Sequence, residues 1–134
     1  MVGALSILPI KKGDIMKIKI IKEGGRFPER HGNLIDLFTS EQIYLQQGED
    51  FIMPLGVAVK VPDGYFPVMF QKRDSFRKYG VLLASGTSIV DAEDGAWSVH
   101  VVALRETIIP EGACLCQFTL FRKEEELDLI EVET

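Results

Sequence analysis

The 134-residue sequence predicts a single all-β domain with one short helical turn near residues 75–79. Short runs alternate apolar and polar residues, as strands with one buried face do. Glycine, proline and aspartate separate these runs at short intervals, as turns do. Only one segment combines helix-start and helix-stop signals. Strands and turns at this frequency are typical of a sandwich or a barrel.

The first half of the chain contains three predicted strands. Residues 16–21 alternate apolar and basic side chains, which indicates a strand with one exposed face, and residues 23–31 are predicted to be a loop. Residues 57–61 place three valines on one face. The turn-forming residues 62–64 follow, and residues 65–70 form a second strand, so we expect a hairpin here.

The helical turn lies between these strands and two more, which are predicted at residues 97–104 and 113–121. Asp74 or Ser75 is expected to cap the turn, and Gly80 to end it in the left-handed conformation. Such a helix either positions a loop for function or is a plain connector.

Composition narrows the class of protein. The formal net charge of −5 disfavours binding to polymeric nucleic acid, which needs clustered cations. No run of 18 apolar residues exists, so no membrane span is predicted, and charges that follow the first apolar run argue against a secretory signal. Cys114 and Cys116 share one strand face and are poorly placed for a disulfide. We expect buried free thiols and a reducing, cytoplasmic compartment.

The acidic end of the chain, residues 122–134, alternates charged and apolar side chains. It is expected either to add an edge strand to a partner subunit or to fray in solvent.

Two segments could bind an anion or a polar group. Lys72, Arg73, Arg77 and Lys78 lie within seven residues, and Ser75 could add a donor to an anion site there. The plainer alternative is a solvated basic loop. Asp36 lies between large apolar neighbours, where its simplest role is to cap a turn.

Two further polar residues adjoin apolar runs, one at the end of a run and one inside a run. Asp91 ends the run 88–90, where a carboxylate either acts as a general base on water or belongs to an ordinary acidic turn. Gln117 interrupts an apolar strand, so its amide either braces the core or reaches a ligand. His100 lies inside a strand pattern and is expected to be structural.

Taken in order, these segments resemble the trimeric dUTP diphosphatase (dUTPase) family over roughly residues 32–132. The similarity is carried by the following blocks: GNLIDL from residue 32, LGVA from 55, PDGY from 62, YGV from 79, SIVD from 88, ALRET from 103 and Gly112-x-x-Leu115-x-Gln117-Phe118. The resemblance implies a β-clip, or distorted jelly-roll barrel, and a homotrimer.

The resemblance also implies a reaction, the Mg²⁺-dependent hydrolysis of dUTP to dUMP and pyrophosphate. Asp91 matches the water-activating aspartate of the family's third motif, and Gln117 matches the glutamine of the fourth. Asp36 matches the acidic position of the first motif, as an indirect contact of the metal or a contact of the ribose. Together with Gln117, the stretch that contains Lys72, Arg73 and Ser75 is expected to bind the phosphates.

The second motif departs from the family pattern, Arg-Ser-Ser or Arg-Ser-Gly. Without a gap, Lys72 takes the place of the arginine; with a one-residue gap, Arg73 takes it and Ser75 takes the place of the last serine. In either register Asp74 brings a negative charge to where a phosphate is expected.

Two other motifs also depart from the pattern. In the third motif, Asp94 or Gly95 stands near the place of the family's tyrosine, and Trp97 is the nearest aromatic residue. The glycine-rich fifth motif is not found. An enzyme is favoured, because Asp36, Asp91 and Gln117 are all present. A non-catalytic nucleotide-binding or protein-interaction module is the alternative. A dCTP deaminase using Glu93 ranks third.

Overall fold

The computed structural model describes residues 15–86, 88–89, 95–124 and 126–133, and these residues form twelve strands and one helix. The strands are β1 (Lys19–Lys22), β2 (Glu29–His31), β3 (Leu34–Leu37), β4 (Ile43–Leu45), β5 (Asp50–Pro54), β6 (Val57–Lys60), β7 (Tyr65–Gln71), β8 (Val81–Leu83), β9 (Ser88–Ile89), β10 (Ser98–Ala103), β11 (Thr107–Ile109) and β12 (Cys116–Arg122), and the helix is α1 (Ser75–Tyr79). No helix in these ranges is long and apolar enough to cross a membrane.

The strands pair antiparallel in four sheets. The largest sheet has the order β2-β3-β12-β7-β9, a second has the order β5-β10-β8, and the pairs β1-β6 and β11-β4 complete the set. The all-β prediction is therefore confirmed. The described strands form open sheets, however, and do not close into the single barrel that the resemblance implied.

The hairpin predicted across residues 57–70 is wrong. β6 pairs with β1, whereas β7 pairs with β12 and β9, so the two strands belong to different sheets. The turn itself is present, because the Tyr65 amide donates to the Pro62 carbonyl at 3.3 Å. Val57, Ala58 and Val59 are all buried, so both faces of β6 are covered and it lies between layers, without the exposed face of a surface hairpin.

The loop predicted at residues 23–31 ends in a strand. β2 pairs with β3 in a hairpin whose two-residue turn begins with Gly32 at φ 64°. All three residues of β2 are exposed, so no buried face imposes an apolar alternation that the sequence could reveal.

The core lies between the sheets and is lined by alternate residues of the central strand β12. Cys116 and Phe118 are completely buried, and the indole of Trp97 packs edge-on against Phe118 with ring centroids 5.0 Å apart. Gln117 lies between these two residues and therefore points to the opposite face of the sheet.

The predicted helical turn is confirmed, but the predicted side-chain cap at its start is not formed. α1 follows Asp74 and ends at Gly80, whose φ is 67° and whose amide donates to the Phe76 carbonyl at 2.7 Å. The guanidinium of Arg105 donates to the carbonyls of Arg77 and Lys78 at 3.1 and 3.2 Å, which satisfies the open end of the helix.

The C-terminal segment contains no strand in residues 123–124 and 126–133, and its apolar side chains are exposed there. Pairing of this segment with a partner subunit stays a prediction.

Candidate active site

Three neighbouring strands bring polar side chains to one face of the five-stranded sheet. Asp36 on β3 lies opposite Gln117 on β12 and opposite Glu29 on β2. Residues that face each other across antiparallel strands point to the same side of a sheet. The face opposite the core therefore collects side chains that are far apart in the sequence.

The carboxylate of Asp36 is the centre of this group. It is 5% exposed, and its Oδ1 accepts a hydrogen bond from Gln117 Nε2 at 2.8 Å. Lys72 Nζ lies 3.3 Å from Oδ1 and 3.2 Å from Oδ2, which places the ammonium astride the carboxylate. His31 Nε2 lies 3.3 Å from Oδ2 on the remaining side.

The pKa of Asp36 reflects two opposing effects. Burial alone would raise the pKa of this carboxyl, but the hydrogen bonds from Gln117 and Lys72 and the charge of Lys72 outweigh burial, so the pKa falls below its ordinary value of 3.8. Asp36 is therefore an anion at neutral pH, and it forms a partly buried ion pair with Lys72.

Lys72 is held by its main chain as well as by its ammonium group. It directly follows β7, and its amide donates to the Leu115 carbonyl at 2.9 Å. The Lys72 carbonyl accepts the amide of Ser75 at 3.1 Å. The side chain therefore leaves a fixed backbone and reaches the Asp36 carboxylate.

Ser75 points into the protein. It is 1% exposed, and its hydroxyl donates to the Lys72 carbonyl at 2.8 Å while accepting a hydrogen bond from Gln71 Nε2 at 3.0 Å. A hydroxyl carries one proton, and in Ser75 that proton is already engaged. The role in phosphate binding that the sequence suggested for Ser75 stays a prediction.

The four clustered cations separate into two groups. Lys72 contacts the buried carboxylate, whereas Arg73, Arg77 and Lys78 are exposed around α1. Asp74, which is also exposed, makes no capping hydrogen bond through its side chain.

Asp91 and Glu93 lie outside the described residues. The strand β9 ends two residues before Asp91 and pairs with Val68 and Met69 of β7, in the same sheet as Asp36. Trp97, the nearest aromatic to the missing tyrosine, is 3% exposed and belongs to the core.

Both cysteines are free, as predicted, but Cys114 is only half-buried and precedes β12, so the two thiols do not share a strand face. Burial raises the pKa of the Cys114 thiol to about 11, and the negative charge of Asp36 adds to this effect. Burial also raises the pKa of Cys116, which is completely enclosed.

Sequence reasoning missed two residues near this site. His31 belongs to the exposed strand β2, which carries no apolar pattern, and Gln71 is the last residue of an otherwise apolar strand. A lone glutamine at a strand end is only a weak signal, because it is equally typical of a solvated turn.

His100, predicted to be structural, makes a local contact on another sheet. Its Nε2 lies 2.6 Å from Asp50 Oδ2, across the β10–β5 pair.

Solved structures of phage dUTPases share this fold. A single-site mutant of the dUTPase from Staphylococcus aureus phage phi11 superposes with a TM-score of 0.74 at 20% identity, over 89% of this chain and 98% of that one. The dUTPase of Staphylococcus phage 80alpha with bound dUpNHpp gives a TM-score of 0.71 at 18% identity, over 88% and 89% of the two chains. The fold therefore defines a β-rich protein of the dUTPase-like class.

Curated relatives identify the family within this class, although no family model matches the chain. The SPbeta prophage-derived deoxyuridine 5′-triphosphate nucleotidohydrolase YosS of Bacillus subtilis is 31% identical in an alignment 106 residues long, and the match covers 76% of this chain and 75% of the relative. The corresponding nucleotidohydrolase of Finegoldia magna is 28% identical in an alignment 128 residues long, and the match covers 88% of each chain. The chain belongs to the dUTPase family, which confirms the resemblance found in its sequence.

Proposed function

We propose that this chain is a dUTP diphosphatase, which hydrolyses dUTP to dUMP and pyrophosphate with Mg²⁺. Its relatives in Bacillus subtilis and Finegoldia magna are named as nucleotidohydrolases of this substrate. The observation that carries the proposal is the ionised Asp36 carboxylate, which joins Gln117 on β12 and Lys72, just after β7, into one polar site. The sequence resemblance assigns Asp36 and Gln117 to the family's first and fourth motifs, and Lys72 to the second motif in the register without a gap.

Asp91 is proposed as the general base. Its carboxylate would take a proton from a water molecule as that water attacks the α-phosphorus, and pyrophosphate would leave with the electrons of the broken P–O bond. The assignment is supported by the place of Asp91 at the end of residues 88–91, the block that resembles the third motif.

Lys72 and Arg73 are proposed to bind the phosphates of the substrate. The contact between Lys72 and Asp36, together with the inward direction of Ser75, supports the register in which Lys72 replaces the family arginine. Gln117 would hold the carboxylate that orients this ammonium. A lysine offers a mobile point charge in place of the bidentate arginine fork, so the grip on phosphate is expected to be less directional.

Magnesium is expected to arrive with the triphosphate. Among the described residues no group of three His, Cys, Asp or Glu side chains is placed to hold a metal ion, and Asp36 is already surrounded by Lys72, Gln117 and His31. Mg²⁺ commonly keeps several waters and binds through substrate phosphates, so these residues fit an indirect role for Asp36. When bound, the ion supplies charge stabilisation to the leaving pyrophosphate.

The proposal includes a homotrimer in the cytoplasm. Support for the assembly comes from the family resemblance, and support for a reducing compartment comes from the two free thiols. Sedimentation equilibrium of the purified chain tests the assembly: a trimer is expected, and a stable monomer would contradict it.

The enzyme is tested by measuring pyrophosphate release from dUTP with Mg²⁺. The native chain is expected to release pyrophosphate. Asp91→Ala is expected to lower the rate of release about 10²- to 10⁴-fold, which is the usual contribution of a general base. The matched control is Asp63→Ala in an exposed turn, which should retain full activity. No release above background by the native chain would contradict the proposal.

One observation favours the non-catalytic alternative. The positive charge of Lys72 is already compensated by Asp36, and the exposed Asp74 adds a negative charge to the same stretch. Calorimetric binding of the non-hydrolysable analogue dUpNHpp, together with no hydrolysis of dUTP, would support a binding module. Ammonia release from dCTP would indicate the deaminase instead.

A further inference from the structure

We propose that Gln71 and Ser75 are positioning residues that set the place of Lys72, and that Ser75 serves the phosphate site in this indirect way. The inference concerns the arrangement of Lys72 itself, and only its kinetic consequence rests on the proposed function.

The amide of Gln71 ties together the two strands that flank the basic segment. Its Nε2 donates to the hydroxyl of Ser75 and to the carbonyl of Val81, both at 3.0 Å. Its Oε1 accepts the amide of Leu83 at 2.9 Å. Both amide hydrogens and the oxygen are therefore engaged, so the side chain links the end of β7 to β8 in a defined geometry.

Ser75 passes this constraint on to Lys72. The Lys72 carbonyl accepts two hydrogen bonds from Ser75, one from the amide at 3.1 Å and one from the hydroxyl at 2.8 Å. The Lys72 amide is bound on its other side to Leu115 at 2.9 Å. The backbone amide and carbonyl of Lys72 are thus both held by hydrogen bonds, which fixes the position of its Cα.

This constraint matters because a lysine side chain has four rotatable bonds and pays entropy to hold one geometry. The ammonium reaches Asp36 at 3.2 Å, and Asp36 is itself held by Gln117. The ammonium therefore lies between two restraints, one on its backbone and one on its carboxylate partner. Phosphate chemistry is sensitive to a displacement of about 1 Å in a positioned group, so loss of either restraint is expected to weaken the site.

The first test measures Lys72 directly and does not depend on catalysis. Acetylation of Lys72 by limiting acetic anhydride is followed by mass spectrometry, with the exposed Lys78 of the same sample as the internal reference. Ser75→Ala should raise the Lys72 rate about 3- to 10-fold relative to Lys78, the size expected for one lost hydrogen bond. Gln71→Met, which keeps the side-chain length but loses the amide, should act in the same direction.

Ser40→Ala is the matched control. The hydroxyl of Ser40 also donates to a backbone carbonyl, that of Pro54 at 3.1 Å, but it lies on another part of the chain. Each serine variant removes one hydroxyl–carbonyl hydrogen bond, and Ser75→Ala also removes the hydrogen bond from Gln71, so Ser75→Ala is expected to lower the thermal stability at least as much as Ser40→Ala. Only Ser75→Ala should change Lys72 labelling.

The second test is a double-mutant cycle on kcat/KM for dUTP. Ser75→Ala is expected to lower kcat/KM about 3- to 10-fold in the native background. In the Lys72→Ala background it is expected to have no further effect, because Ser75 acts through Lys72. Additive losses, or unchanged Lys72 labelling in both Ser75→Ala and Gln71→Met, would overturn the inference. If the native chain does not hydrolyse dUTP, the proposed function fails while the labelling experiment still decides this inference.

Discussion

Lys72 and the cations of α1 are neighbours in the sequence with different surroundings in the fold. Lys72 lies against the buried carboxylate of Asp36, while Arg73, Arg77 and Lys78 project into solvent. Exposed charges are screened within about 10 Å at ordinary ionic strength, whereas a partly buried pair is screened much less. A cluster of cations in the sequence therefore becomes a specific site only where a distant partner orients one of them.

Within this basic segment, the largest expected difference in activity separates the variants of Lys72 and Lys78. Lys72→Ala should lower kcat/KM for dUTP about 10²-fold, the upper range for one charged hydrogen bond, because it removes the oriented ammonium. Lys78→Ala removes the same charge from the exposed helix and should change kcat/KM less than about 2-fold. Equal losses in the two variants, measured at 150 mM salt, would remove the distinction between them.

Gly80 tests how the helix end is held. Gly80→Ala should destabilise the protein by about 2 kcal/mol or more, because φ is positive and a Cβ would lie 2.5 Å from the Arg105 side chain. Gly64→Ala is the matched control, since it has a similar positive φ but no atom within 4 Å of the added Cβ. In urea unfolding, the control should lose about 1 kcal/mol of the free energy of unfolding. If the two variants unfold alike, the contact with Arg105 contributes nothing.

Asp36→Asn tests the buried side of the comparison through pH. The variant should be less stable than the native chain by about 1–2 kcal/mol at pH 7, because it loses charge-assisted hydrogen bonds. The folded pKa of Asp36 is lowered, so this contribution to stability is complete above the ordinary pKa of 3.8 that applies to the unfolded chain, and it is lost as pH falls through the folded value.

Urea titrations at pH 7, 5, 3.5 and 2.5 check this prediction. The difference in the free energy of unfolding between the native chain and Asp36→Asn should shrink only at the acid end of the series. Asp63→Asn in the exposed turn is the control and should stay within about 0.5 kcal/mol of the native chain at pH 7. A difference that is constant with pH would contradict a lowered pKa for Asp36.

The smallest expected effect is a change in the alkylation rate of Cys114, which responds to the negative charge of Asp36. With a pKa raised to about 11, Cys114 should react slowly with iodoacetamide at pH 8 in the folded protein and much faster after unfolding in urea. Asp36→Asn should speed the folded-state reaction about 2- to 5-fold, because one source of the raised pKa is removed. The rate is measured by mass spectrometry at Cys114, and an unchanged rate would mean that burial alone sets its reactivity.

Local sequence determined much of the framework. The all-β class, the helix that ends at left-handed Gly80, the strands near residues 98–103 and 116–122 and the free thiols were all predictable. Each depends on residues within a few positions of one another: alternation along a strand, a glycine that tolerates positive φ, or two cysteines too close in sequence for a favourable disulfide. Family membership was also readable, because it rests on the order of short blocks.

Tertiary structure decided which strands meet and therefore which side chains meet. The exposed strand β2 and the separation of β6 from β7 are consequences of pairing and burial that no local pattern encodes. The sequence identified Asp36, Lys72 and Gln117 only as separate candidates, because Asp36 lies 36 residues from Lys72 and 81 from Gln117. The antiparallel register of β3, β12 and β7 brings them together, and that register is selected by the apolar residues of the core face.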